Sequence, residues 1–176
     1  YFAAIILAVF VHELGHCSIA WYHGIKAIPT PAKAYYGNVS LNLNNAISLG
    51  GIAGTVAVSL LAITVFVFSK FNFKSIVLAA SLASPGMYSF LFLLKGRGHD
   101  STEFQEAQSA LGAPYSGHCI DWLFVSLVII GFTIWLIRSK PGVKTIPRIV
   151  IGIFVSILFL AALQDLNNKI FDSLLN

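Results

Sequence analysis

Long apolar runs almost free of charge constrain this chain more than any other feature in it. A membrane helix needs about 20 mostly apolar residues to cross a hydrocarbon core of roughly 30 Å. Five stretches reach or approach that length: residues 1–22, 46–68, 75–94, 119–137 and 146–163. Of the 176 residues, 57% are hydrophobic and only 10% are charged, against roughly 25% charged in an average soluble domain. So few charges cannot coat a water-soluble body of this size. We therefore expect an all-α polytopic membrane protein, one transmembrane domain over residues 1–176 with about five helices, multi-pass and integral to a bilayer.

The net charge of +4 does not point to nucleic acid, because the basic residues stand at the ends of apolar segments and not along one face. They read as anchors at the membrane interface. Two cysteines, Cys17 and Cys119, are too few for a disulfide framework. No cleavable signal peptide is expected, since the opening apolar run has neither a basic region before it nor a small-residue cleavage site.

Between the first two apolar stretches lies a turn-rich segment with Pro29 and Pro31, followed by Asn38-Val39-Ser40-Leu41-Asn42-Leu43. The period-two alternation of that last run predicts a strand, so a short β-hairpin or strand segment should follow the first helix. Between the third and fourth stretches comes Lys95-Gly96-Arg97-Gly98-His99-Asp100, then Ser101-Thr102-Glu103-Phe104-Gln105-Glu106-Ala107. Ser101 or Thr102 can cap a short helix there. With five crossings, residues 23–45 and 95–118 emerge on the same side of the membrane, and residues 69–74 and 138–145 on the other. Lys70, Lys74, Arg138, Lys140, Lys144 and Arg148 fall on the second side with no acid among them, yet five basic residues lie opposite. The positive-inside rule therefore barely favours one orientation. Gly50, Gly51 and Gly54 are spaced to admit a close helix neighbour. Pro85-Gly86 predicts a kink whose freed carbonyls need a polar partner.

The residues that carry chemistry are His12-Glu13-Leu14-Gly15-His16. Residues four apart share a helix face at about 5 to 6 Å, so two imidazoles can grip one Zn²⁺, with Glu13 beside them as general base and not as ligand. Two imidazoles and a carboxylate within a membrane span are costly unless used or paired. A polar knot between helices, or a heme or proton-relay histidine pair, remain as alternatives. Catalytic zinc takes three protein ligands and keeps one open position. The third must come from the side of the membrane that the first helix reaches with its C-terminal half. Asp100 heads that group, with His99, Glu103, Glu106 and His118 also satisfying the condition. Cys17 lies about 100° round the helix from His16 and reads as packing.

The HExxH on the first hydrophobic helix, the turn-rich strand segment, the Gly-rich second span and Gly98-His99-Asp100-Ser101 together resemble the site-2 protease family of intramembrane zinc metalloproteases. The likeness is closest to its small bacterial and archaeal-type members, and of these motifs HExxH is the specific one. In that family an Asp from a later membrane segment, usually in a Leu-Asp-Gly setting, completes the metal site; the counterpart here is Asp100. Asn44, Asn45 and Gly50-Gly51 stand loosely where the family has an Asn-containing Gly-Pro stretch. The resemblance implies Zn²⁺ as cofactor, His12, His16 and Asp100 as ligands, and hydrolysis of peptide bonds in membrane-embedded helices with Glu13 moving the proton. It leaves room for a regulatory membrane partner. A substrate helix hides its carbonyls in its own hydrogen bonds and must unwind before attack. The expected strand at residues 38–43 could pair with the unwound segment, which makes Asn38 and Val39 substrate-binding candidates; Asn44, in the counterpart of the family's Asn-containing stretch, is the third. Two other classes fit the motif: a gluzincin-type membrane protease, CAAX-processing or HtpX-like, with Glu103 or Glu106 as third ligand, and a non-catalytic zinc-binding transporter or sensor. Glu13 inside the motif argues against the last, since a closed structural site needs no base.

Overall fold

The fold is that of a computed structural model, which describes residues 2–70, 72–96, 98–110, 118–140, 142 and 145–175. It is helical apart from one small hairpin: α1 Phe2–Tyr22, β1 Ala27–Pro29, β2 Ala34–Tyr36, α2 Leu41–Phe68, α3 Lys74–Ser81, α4 Ala83–Lys95, α5 His99–Ala110, α6 Cys119–Ser139 and α7 Thr145–Leu175. Among the described residues, four segments are long and apolar enough to cross a membrane: Ile5–Tyr22, Leu41–Phe68, Lys74–Lys95 and Cys119–Ser139. The fifth expected stretch, residues 146–163, falls inside α7 but adds no fifth member to that count, and its helix runs on to Leu175.

The hairpin exists, but not where the alternation placed it. Strands β1 and β2 pair antiparallel, Ala27 opposite Tyr36 and Pro29 opposite Ala34. Thr30 closes the turn, with its N–H and its hydroxyl both donating to the Lys33 carbonyl at 3.1 and 2.8 Å. Residues 38–40 have no regular structure and α2 begins at Leu41. Ser40 is extended (φ −66°, ψ 156°), and its carbonyl accepts the Asn44 N–H at 2.9 Å. The strand expected at residues 38–43 is thus a short connection followed by a helix start. Six alternating residues carry less weight than the long helix-forming run that follows, because each added residue propagates a helix already nucleated.

The third apolar stretch breaks between Ser81 and Ala83. Pro85 lacks the N–H that would bond the Ser81 carbonyl four residues back. That carbonyl instead accepts the hydroxyl of Ser59 on α2, at 3.2 Å, and Ser59 is fully buried. The break therefore has a polar partner supplied by a neighbouring helix. Among the described residues three apolar clusters hold the bundle: Ile52, Tyr88, Ile120, Phe124 and Leu127 join α2, α4 and α6, Ala62, Phe66, Leu78 and Trp135 join α2, α3 and α6, and Ile5, Ala80 and Ala83 join α1 to α3 and α4. Cys17 is buried and Cys119 exposed, and neither is in a disulfide among the described residues.

Candidate metal centre

α1 and α2 run antiparallel along a seam of glycines. A Cβ on Gly15 would strike the Gly50 carbonyl, one on Gly50 would strike the Gly15 carbonyl, and one on Gly54 would come within 3.0 Å of the Val11 carbonyl oxygen. Gly51 serves a different purpose: a Cβ there would fall inside the His16 imidazole, against Nε2, Cε1 and Cδ2. Close helix approach was the expectation for Gly50, Gly51 and Gly54, and in addition Gly51 makes room for a ring.

His12 and His16 face each other across one helical turn. Their Nε2 atoms stand 3.0 Å apart with ring planes at 84°. Each Nδ1 turns outward to α2: His16 Nδ1 donates to the Ile47 carbonyl at 2.8 Å, and His12 Nδ1 lies 2.7 Å from the Thr55 hydroxyl. A carbonyl only accepts, so the proton of neutral His16 sits on Nδ1 and its Nε2 offers a lone pair. Thr55 can donate or accept. Either His12 therefore donates from Nε2 toward His16, or two lone pairs face each other, an arrangement that a cation between them stabilises. His12 is 2% exposed and Glu13 8%. At 1.5 Å per residue, His16 lies about 9 Å and His12 about 15 Å along α1 from its end at Tyr22. The Tyr88 ring sits 5.8 Å from that of His12.

This pair fits zinc. Two nitrogens each about 2.0 to 2.1 Å from a tetrahedral ion stand about 3.3 Å apart, a few tenths of an ångström from the spacing present. The outward Nδ1 bonds are the second set of contacts that orients metal-binding histidines. Among the described residues no group of three or more His, Cys, Asp and Glu side chains converges on one point. The side chains of His99, Asp100 and Glu103 lie outside the described residues. Glu106 is exposed, and His118 turns its Nδ1 toward Asp121 at 3.0 Å. Asn38 and Val39 stand in the connection before α2, and Asn44 is within it. The strand expected in that segment is absent and β2 ends at Tyr36, two residues before Asn38; a role for Asn38, Val39 and Asn44 toward substrate is a proposal.

Asp121 was not anticipated. It is 2% exposed in the first turn of α6. Its Oδ1 accepts the Gly98 N–H at 3.0 Å and the Ser101 hydroxyl at 2.8 Å, and its Oδ2 faces His118. A carboxylate is favourable there because helix N-termini carry partial positive charge. Helix α5 accordingly starts at His99, ahead of Ser101 and Thr102; the Thr102 hydroxyl donates back to the Gly98 carbonyl at 2.6 Å, and the single O–H of Ser101 is shared between Asp121 and that carbonyl, 3.1 Å away. Asp121 thus fixes the chain on both sides of residues 99 and 100. A lone acid opening an otherwise uncharged span was the available signal. Asp121→Ala would take the acceptor from the buried Gly98 N–H, at about 1 to 3 kcal/mol. We expect a clear drop in the thermal unfolding midpoint for Asp121→Ala and a smaller one for Asp121→Asn, which keeps a carbonyl acceptor; equal midpoints for all three proteins would contradict this anchoring.

Comparison with family models, with curated proteins and with solved structures finds no match for the chain.

Proposed function

We propose that the protein is an intramembrane zinc metallopeptidase that cleaves membrane-embedded helices, in the manner of the site-2 proteases it resembles. The observation that carries this reading is the pair of imidazole Nε2 atoms converging at 3.0 Å within an apolar helix, each ring anchored from behind by α2, with Glu13 next in sequence to His12. His12 and His16 would hold the ion, and Asp100 is the third ligand we propose. Support for Asp100 comes from the backbone of α5. Position 100 precedes Phe104 by four residues, one helical turn, and Phe104 packs against the cluster containing Ile52 and Tyr88, neighbours of Gly51 and His12.

Zinc bound there would polarise a peptide carbonyl and make water a stronger acid. The protein's own groups do the rest. Glu13 takes the proton from the attacking water and passes it to the leaving nitrogen. The Ile47 carbonyl and the Thr55 hydroxyl keep both rings aimed inward. Burial keeps the carboxylate and the rings away from bulk water, where their mutual interactions would be screened. We also take α7 as a fifth crossing. Asn167 donates to Thr30 at 3.0 Å and Tyr35 donates to Asn168 at 2.8 Å, which supports an α7 that ends on the hairpin side.

Metal analysis tests the assignment. We expect about one zinc per chain in the purified wild type, background zinc in His16→Ala, and strongly reduced zinc in Asp100→Ala. Full zinc in Asp100→Ala with loss in Glu103→Ala or Glu106→Ala would move the protein to the gluzincin-type class. A wild type that binds no zinc and cleaves no membrane helix would end the proposal.

A further inference from the structure

At the membrane face opposite the hairpin, the end of α2, the start of α3 and the end of α6 enclose a cavity of about 440 Å³. Its lining is Phe66, Lys74, Ser75, Arg138 and Ser139. Phe66, almost fully buried, forms an apolar wall. The two cations are held in place: Lys74 Nζ donates to the Ser69 carbonyl at 2.9 Å and lies 5.7 Å from the Phe66 ring, and Arg138 Nη1 donates to the Val67 carbonyl at 2.9 Å. Each of these bonds uses one N–H of a group that carries several, three on an ammonium and five on a guanidinium. Two hydroxyls, Ser75 and Ser139, add donors beside them. Lys70 and Lys140 stand beside the same helix ends, and neither they nor the cavity lining includes an acid. Phe68 and Phe73 stand exposed next to the cavity, where acyl chains would surround them.

We infer that this cavity is a binding site for the headgroup of an anionic phospholipid, with Lys74 and Arg138 on the phosphate and Phe66 against the glycerol end of the acyl chains. A phosphate diester matches the donors and the sign of charge, and basic recesses between membrane helices are where such headgroups settle. Cavities of about 300 to 1,000 Å³ hold ligands of this size. Immobilising the two cations on backbone carbonyls lowers the ordering cost when the anion arrives. The site lies at the far face of the bundle from His12 and His16 and does not depend on their function.

The test uses the full chain in phosphatidylcholine vesicles with and without phosphatidylglycerol, followed by mild extraction and mass measurement of the lipid retained. With two cations contributing about fivefold each, phosphatidylglycerol should be retained about 25-fold over phosphatidylcholine. The double variant Lys74→Gln, Arg138→Gln should lose that preference. Lys70→Gln, Lys140→Gln removes the same charge from the same face outside the cavity and should keep it. Ser139→Phe leaves both cations and fills the space, and should also lose it. Retained preference in the Lys74 and Arg138 variant, or equal loss in the Lys70 and Lys140 variant, would overturn the site in favour of diffuse surface charge. Inorganic phosphate competing as well as phosphatidylglycerol would overturn the lipid as occupant.

Discussion

Glu13→Gln is expected to reduce cleavage of a membrane-helix substrate by about 10²- to 10⁴-fold, the usual range for losing a general base, while zinc content stays near the wild-type value. Gln has the same shape as Glu and cannot accept a proton at neutral pH. Glu13 is 8% exposed in the middle of α1, and Gln keeps the size of the side chain and a carbonyl acceptor there. The variant therefore separates chemistry from folding. Two measurements read it: turnover of a helix substrate in detergent or vesicles, and metal per chain by mass spectrometry. Full activity with metal retained would favour a transporter or sensor, for which the acid inside the motif has no proton to move. Loss of zinc along with activity would make Glu13 a ligand and would exclude it as the base.

A second large effect is expected at Gly51. In Gly51→Ala the new methyl would occupy the space of the His16 imidazole. The ring must then swing away, losing the bond from its Nδ1 to the Ile47 carbonyl and its alignment with His12. Overpacking of this kind costs about 1 to 3 kcal/mol, and disturbing the groups that orient a metal-binding histidine weakens metal binding by about 10- to 100-fold. Gly54→Ala is the matched control. Its methyl meets the Val11 carbonyl oxygen at 3.0 Å, so it should strain the same seam and leave His16 in place. Zinc titration of the two variants beside the wild type should show weakened affinity for Gly51→Ala alone. Unchanged affinity in Gly51→Ala would mean that His16 does not depend on the room left at that glycine.

Much of this arrangement is legible in the sequence because it depends on short-range periodicity. Residues 46–68 and 119–137 read as helices, since nothing else satisfies the backbone in hydrocarbon. His12 and His16 read as one face because four residues make about one turn. Pro85 announces the break between α3 and α4, although the partner of the freed carbonyl, Ser59, is 22 residues away and cannot be inferred from local pattern. What fails is information carried between distant elements. Alternation at residues 38–43 fits a strand equally well until Ser40 is seen starting α2. Asp121 resembles an ordinary interfacial charge, and its role becomes visible only when Gly98, 23 positions earlier, is brought against it. The Gly51 requirement likewise arises from a ring on another helix.

The apolar pattern of the last stretch stops near residue 163, and a boundary drawn by hydropathy would cut the protein there. The two adjacent asparagines just beyond, Asn167 and Asn168, tie α7 to Thr30 and Tyr35 of the hairpin. A chain shortened at that boundary would retain every residue of the histidine motif yet release the β-ribbon from these two polar ties to α7. The smallest fragment worth expressing therefore extends past Asn168, and affinity tags are better placed after α7 than grafted into it.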